Sequence, residues 1–434
     1  MTHLCYNRFM SATPTTPVTP ARSYIPTPRV VAFFSYGVML CLTVGLFLFY
    51  LSRQPDLLQD ATRRDFTSVY TGGRIVLAGQ STHLYDRSLQ QQIASAATAP
   101  YPPFTPLNVY PPWNSVLIAA LAWLPYGSAY WLWLLLNVGV AAGAIRGLLA
   151  LALPAQAERP ILLLAAVGFA PLFHSLWQGQ MSGIALLGLV GSVVMFQRGA
   201  DRAAGLWLLL VLLKIQLLPL AAVALLIWRK PRAIIAFAVG TGLLLTLSLL
   251  VFGNWISALS PLIQASLNVE VNNGYTGGMS NWRGLLYVAV GSNTSAVSQT
   301  LEAALTGISL GGVVLLCWPY KSWGQANHQI RFALAAILLL LVSPHLYIHD
   351  AVVLLLPGFL LWHASTRSLT AQPSARLHQL RWLLGLGPLV FYAMQIWHPP
   401  IFQIGAWYLA LLLALAFATR SLYTVPPEQL AISV

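Results

Sequence analysis

VVAFFSYGVMLCLTVGLFLFYL, residues 30–51, carries no charge and no proline. It has the roughly 20 apolar residues that one helix needs to cross a bilayer. Directly after it comes a polar stretch containing DATRRDFTSVYTGGRIVLAGQSTHLYD, residues 60–86, with Asp60, Asp65 and Asp86. Apolar runs broken by short polar segments then continue to the end of the chain. This pattern decides the fold: an all-α integral membrane protein, in which 434 residues leave room for about ten to thirteen spans.

Composition agrees. Hydrophobic residues make up 57% of the chain and charged residues 8%, where soluble domains carry roughly 25% charged residues. The mean hydropathy is +0.70. A net charge of +13 could suggest nucleic acid, but the Lys and Arg residues sit between apolar runs, as cytoplasmic loops require. The expected surroundings are therefore membrane lipids and no nucleic acid. Cys5, Cys41 and Cys317 are scattered and show no ligand spacing, so neither a disulfide framework nor a zinc site is indicated.

Charge also orders the topology. Arg22 and Arg29 place the N-terminus inside and the segment after residue 51 outside. Residues 1–29 read as a disordered cytoplasmic tail, residues 30–420 as one transmembrane domain, and residues 421–434 as a cytoplasmic tail. Two outer loops are expected, at 52–110 and 252–283. Within the first, residues 66–77 have the apolar spacing of an amphipathic helix lying along the interface. With the Arg/Lys clusters at 198–202, 229–232, 321–331, 367–381 and 420 inside, WQGQ (177–180), the 252–283 loop, SPHLYIHD (343–350) and the turn at 398–400 all fall outside, with Asp65. This arrangement needs two irregular elements. Residues 114–124 must form a re-entrant half-helix. Between Arg202 and Arg229 the chain must enter and return, as two short helices broken near Lys214. Such breaks are tolerated where they line a protein cavity.

Few residues are left to carry chemistry. Of the outer acids, Asp65 is best placed as a base for an acceptor hydroxyl, at the start of the 66–77 helix; the structural alternative is that it caps that helix or pairs with Arg64. Lys214, inside VLLKIQLLPL, costs roughly 2.5–3.5 kcal/mol to insert and so calls for an anionic partner, such as an outer acid or a ligand phosphate, unless it snorkels to the headgroups. His345, His349 and Asp350 stand together at a turn, where imidazole can move a proton or donate to phosphate. No metal set is completed. Gln180 and Asn281 suit sugar hydroxyls, although such amides are also ordinary loop residues.

In chain order these features are a span, D-F-x-x-x-Y from Asp65 to Tyr70, Gly79 and Tyr85, Y-P-P from Tyr110, Gly179-Gln180, Lys214 followed by Pro219, and S-P-x-x-x-x-H ending at His349. The series, over roughly residues 30–420, resembles glycosyltransferase family 87. The resemblance implies a GT-C-type polytopic bundle of about 11–13 transmembrane helices and an inverting transferase in the inner membrane. Its site would face the extracytoplasmic side. It would move a hexose, by default mannose, from a polyprenyl-phosphate donor to a glycolipid or glycan acceptor, with no cofactor or metal. It makes Asp65 the catalytic base. It makes His349 a second catalytic group near the donor phosphate and Lys214 a further phosphate contact; Arg64, beside Asp65, is a third candidate for donor-phosphate binding. Tyr70, Gln180, Asn281, His345 and Asp350 are candidate substrate contacts, Asp350 being a departure from the residue more common beside that histidine. The rival is a carrier of lipid-linked sugars, which needs the cations but no base.

Overall fold

The computed structural model describes residues 27–53, 56, 59, 61–62, 64–101, 107–151, 158–272, 276, 279–291, 295–319, 327–371, 375–397 and 404–419. Most of the two terminal tails, Asp60 and the turn at 398–400 lie outside the described residues.

Among the described residues the architecture is helical throughout. The helices are α1 (Pro28–Arg53), α2 (Phe66–Leu77), α3 (Arg87–Thr98), α4 (Pro112–Ala122), α5 (Tyr126–Leu151), α6 (Arg159–Val167), α7 (Ala170–Gln178), α8 (Ser182–Gln197) and α9 (Asp201–Leu208). After a 3-10 segment at Leu209–Leu217 come α10 (Leu218–Trp228), α11 (Pro231–Phe252), α12 (Trp255–Asn272), α13 (Trp282–Val290), α14 (Ala296–Cys317) and α15 (His328–Val342). A second 3-10 segment, Asp350–Leu354, leads to α16 (Leu355–Ala371), α17 (Ala375–Trp397) and α18 (Ile404–Ala418). By length and apolar content, α1, α5, α11, α14 and the stretch from Asp201 to Trp228 can each cross a membrane, and α6 with α7, bent by 42°, make a sixth candidate. The protein is thus polytopic, but fewer of its described helices reach full crossing length than the 11–13 expected, because several bundle helices are short.

One of those lengths is not a crossing. The stretch from Asp201 to Trp228 breaks at Lys214, whose φ of −131° and ψ of 79° leave the helical region. Both of its ends return to the same end of the bundle. The Trp228 ring stacks on Phe196 at 4.9 Å, and a Cβ on Gly205 would lie 2.2 Å from the Ala233 carbonyl oxygen. Meanwhile Lys214 reaches the opposite end, where α8 begins. This is the entering and returning pair that charge bookkeeping required. A broken helix frees carbonyls, and here they are met: Trp113 Nε1 donates to Leu212 O at 3.1 Å and Asn114 Nδ2 to Leu213 O at 2.7 Å. Pro219 sits in the first turn of α10, where its missing N–H is harmless.

The α2 helix has the expected bounds but not the expected setting. Phe66 to Gly73 and Ile75 are all buried, so no broad polar face meets solvent. The cover is α4, which lies along α2. A Cβ on Gly72 or Gly73 would run into Ser115, Ile118 and Ala122. Arg74 and Tyr70 close the contact by donating to Ala122 O and Leu124 O. The 114–124 region thus lies largely in a short apolar helix, too short to span, that packs along α2.

Polar turns collect at one end of the bundle and a second set of charged residues at the other. The first group holds Asp65, Gln180, Lys214 and Asp350. At the far end Arg229 donates to Cys317 O, Arg331 to Leu316 O and Trp318 O, and Arg29 and Arg381 both reach Glu158.

Candidate active site

The turn between α7 and α8 builds the centre of the site. Gly179 ends α7 in the left-handed region, φ 69° and ψ 32°, while the N–H groups of Gly179 and Gln180 donate to Leu176 O and Ser175 O. Glycine is required here on two counts. A side chain would be strained at this φ, and its Cβ would lie 2.7 Å from Phe66 Cβ. That close approach brings the start of α2, and with it Asp65, against the turn.

Asp65 precedes α2 without capping it; its carboxylate makes no bond to the helix N–H groups. Instead Gln180 Nε2 donates to Asp65 Oδ2 at 2.5 Å. The same amide turns its oxygen to Lys214, whose Nζ donates to Gln180 Oε1 at 2.5 Å. Tyr110 OH donates to that oxygen too, at 2.9 Å, and its ring lies 5.8 Å from the ammonium. One amide thus bridges a half-buried carboxylate and a buried cation, and Asp65 and Lys214 belong to one hydrogen-bonded cluster, termed the chamber.

Lys214 has a counter-ion within the protein. Its Nζ lies 2.7 Å from Asp350 Oδ1, with the side chains 3% and 0% exposed. A buried pair repays its desolvation only when further hydrogen bonds fill the remaining lone pairs. Asp350 has them, accepting from Ser182 Oγ at 2.7 Å and from Gln216 Nε2 at 2.8 Å. His349 Nε2 stands 3.5 Å from Asp350 Oδ2 but makes no hydrogen bond. Burial, together with Lys214 and His345 and only partly opposed by the Asp350 and Asp65 carboxylates, holds the His349 imidazole below its ordinary pKa. Its Nε2 is buried and has no hydrogen-bond partner.

The remaining expected residues divide. Arg64 lies over the Trp177 ring at 4.9 Å, beside Asp65 and within electrostatic reach of His174. Tyr70 does not belong to the cluster. Its hydroxyl donates to Leu124 O at 2.8 Å, and its ring packs against Phe66 and Tyr126. Asn281 is a structural clip: Oδ1 caps α13 by accepting from Gly284 N, and Nδ2 donates to Ser343 O at 2.7 Å. It ties the second outer loop to the turn that carries His349. His345 offers its backbone carbonyl to Gln216 at 3.1 Å, and its ring stands edge-on to Tyr347. Asp86 caps α3 by accepting from Ser88 N and Leu89 N; these bonds, with that of the Ser88 hydroxyl, hold its carboxyl below the usual range.

Tyr110 as a hydrogen-bond partner, Ser182, Gln216 and His174 were not expected here. A histidine in an apolar run, one turn before Gln178, was a usable signal. Ser182 and Gln216 gave none.

A model of glycosyltransferase family 87 matches residues 108–344. The chain belongs to this family. The match includes Tyr110, Gln180, Ser182, Lys214 and Gln216, while Asp65 precedes it and His349 and Asp350 follow. The fold brings all of them into one linked cluster. No curated protein and no solved structure matches the chain. As a family 87 member the protein is a glycosyltransferase with membrane helices, which favours sugar transfer over the carrier reading.

Proposed function

We propose that this family 87 glycosyltransferase takes a hexose, by resemblance mannose, from a polyprenyl-phosphate donor and attaches it with inversion to a hydroxyl of a lipid or glycan acceptor. The acceptor oxygen bonds to the anomeric carbon as the bond from that carbon to the phosphate oxygen breaks. The hydroxyl proton passes to Asp65, and the phosphate leaves with the negative charge. Lys214 meets that charge with an ammonium N–H not used by Gln180 or Asp350. Neutral His349 donates a hydrogen bond from its ring. Arg64 supplies a second cation at the chamber edge. Donors placed in a water-poor site before the charge develops are the strongest form of such stabilisation. The arginine cluster at the far end, with the positive-inside tendency, supports a chamber on the extracytoplasmic side, where a lipid phosphate serves as donor in place of a nucleotide sugar.

The observation that carries this reading is the Gln180 amide between Asp65 and Lys214: a base and a phosphate-binding cation held apart by one neutral side chain. The test is Asp65→Asn in purified protein given a set of polyprenyl-phosphate sugars, scored by lipid-phosphate release. Asparagine keeps an oxygen for Gln180 and loses the base. Transfer should fall by about 10²–10⁴-fold, the range of a general base, with donor binding retained. Transfer at the parent rate would overturn the assignment.

A further inference from the structure

The end of the bundle opposite Asp65 holds a second constellation. Glu158, 3% exposed, is shared by Arg29, whose side chain is 48% exposed, and by Arg381. Trp362 Nε1 donates to its other oxygen at 3.3 Å, and Arg381 lies over the Trp362 ring at 4.8 Å. Two guanidiniums thus meet one carboxylate, and the buried Arg381 Nε has no acceptor. An unmet buried donor of this kind asks for an explanation.

Beside it is an apolar pocket with an open mouth. Trp362 lines it, as do Leu162, Leu384 and Tyr36. These residues stand one helical turn from Glu158, one from Arg381 and two from Arg29, or about 5 to 10 Å along their helices. The two polar groups in the wall are already engaged, Tyr36 OH with Leu384 O and Trp362 N–H with Glu158; every other lining side chain is apolar. The interior therefore suits hydrocarbon, and the arginines at its end suit an anion.

We infer that this is a binding site for an anionic glycerophospholipid, with its phosphate against Arg29 and Arg381 and one acyl chain in the cavity. Its lining also includes Leu354, at the end of the 3-10 segment that starts at Asp350, but none of the polar side chains of the transfer site. The pair α6 and α7, which joins Glu158 to Gln180, runs for about 30 Å at 1.5 Å per residue, so the lipid comes from the leaflet facing away from the chemistry.

The experiment uses the full chain in neutral detergent, stripped of lipid and titrated with phosphatidylglycerol or phosphatidylcholine of matched chains. Native mass spectrometry counts bound lipid and thermal melting reads stabilisation. One phosphatidylglycerol should stay bound per chain and raise Tm, and phosphatidylcholine should not. Arg29→Gln should weaken retention about tenfold, the loss of a charge-assisted bond. Gly358→Leu should abolish retention with the ion cluster intact, because Gly358 lines the cavity and an added Cβ there meets nothing within 4 Å. If Arg29→Gln does not fold, Gly358→Leu alone decides. Equal effects of the two lipids, or phosphatidylglycerol retention unchanged in Gly358→Leu, would overturn the inference. So would displacement by polyprenyl phosphate, which would make the cavity part of the donor site.

Discussion

Asp350→Asn tests the electrostatics of the chamber most directly. The substitution keeps the shape of the side chain and an oxygen for Ser182, but removes the charge 2.7 Å from Lys214 Nζ. The ammonium, 3% exposed, is left with neutral acceptors alone: the retained Oδ1 position, the Gln180 oxygen and the face of Tyr110. The cation–π contact with Tyr110 is present in the parent as well and offsets nothing, and stranding one partner of a buried pair costs about 3–5 kcal/mol. The loss of stability should therefore be about 3–5 kcal/mol. Lys214→Met in the same chain removes the stranded charge, and replacing both members of a buried pair by uncharged groups is often neutral. The double variant should recover most of the loss while transferring no sugar. The assay is denaturant titration in mixed micelles for the parent, both single variants and the double, so that the coupling between the sites is measured directly. A single variant as stable as the parent, or a double variant no more stable than Asp350→Asn, would refute the claim that Asp350 is the resident counter-ion.

Other outcomes follow from the same geometry. Gln180→Ala removes both bonds of the bridge and leaves Lys214 with one partner fewer; donor-dependent transfer should drop, and stability should fall by about 1–3 kcal/mol on the same titration. Gly284→Ala should destabilise and loosen the Asn281–Ser343 clip, since its Cβ would lie 2.1 Å from the Met279 carbonyl oxygen, a contact only backbone movement can relieve. Gly311→Ala, mid-helix with open space around it, should gain up to about 1 kcal/mol, and melting curves of the two variants give opposite signs. The pH dependence of stability has a defined direction at His349. Its folded pKa is depressed, so the unfolded chain binds the proton first as pH falls through about 6.5. The contribution is absent above that value and destabilises below it. Between pH 7 and pH 5 the parent should lose more Tm than His349→Gln; parallel losses would show that the imidazole is not held neutral.

Much of this molecule could be read from residue order. Apolar runs longer than the bilayer is thick can be satisfied only by helices, so α1 and α5 were legible at once, and α2 emerged with its expected bounds. Charge bookkeeping went further. Arg202 and Arg229 had to lie on one side with too few residues between them for two full crossings, which required the break at Lys214. That one lysine in an apolar run needed an anion was equally a matter of solvation cost.

Which anion it found depended on tertiary structure. Ser182 and Asp350 are 168 residues apart, and Gln180 and Asp65 are 115 apart; no local period links such positions. Side-chain type also left open which face a polar residue would turn inward. Tyr70 went to an aromatic cluster, Asn281 to a cap and Asp350 to a buried ion pair, each because the neighbours brought by packing held an unmet donor or acceptor. Hydrophobicity and charge act on segments and are written along the chain. Hydrogen-bond satisfaction acts between individual atoms, and only the folded packing decides which atoms meet.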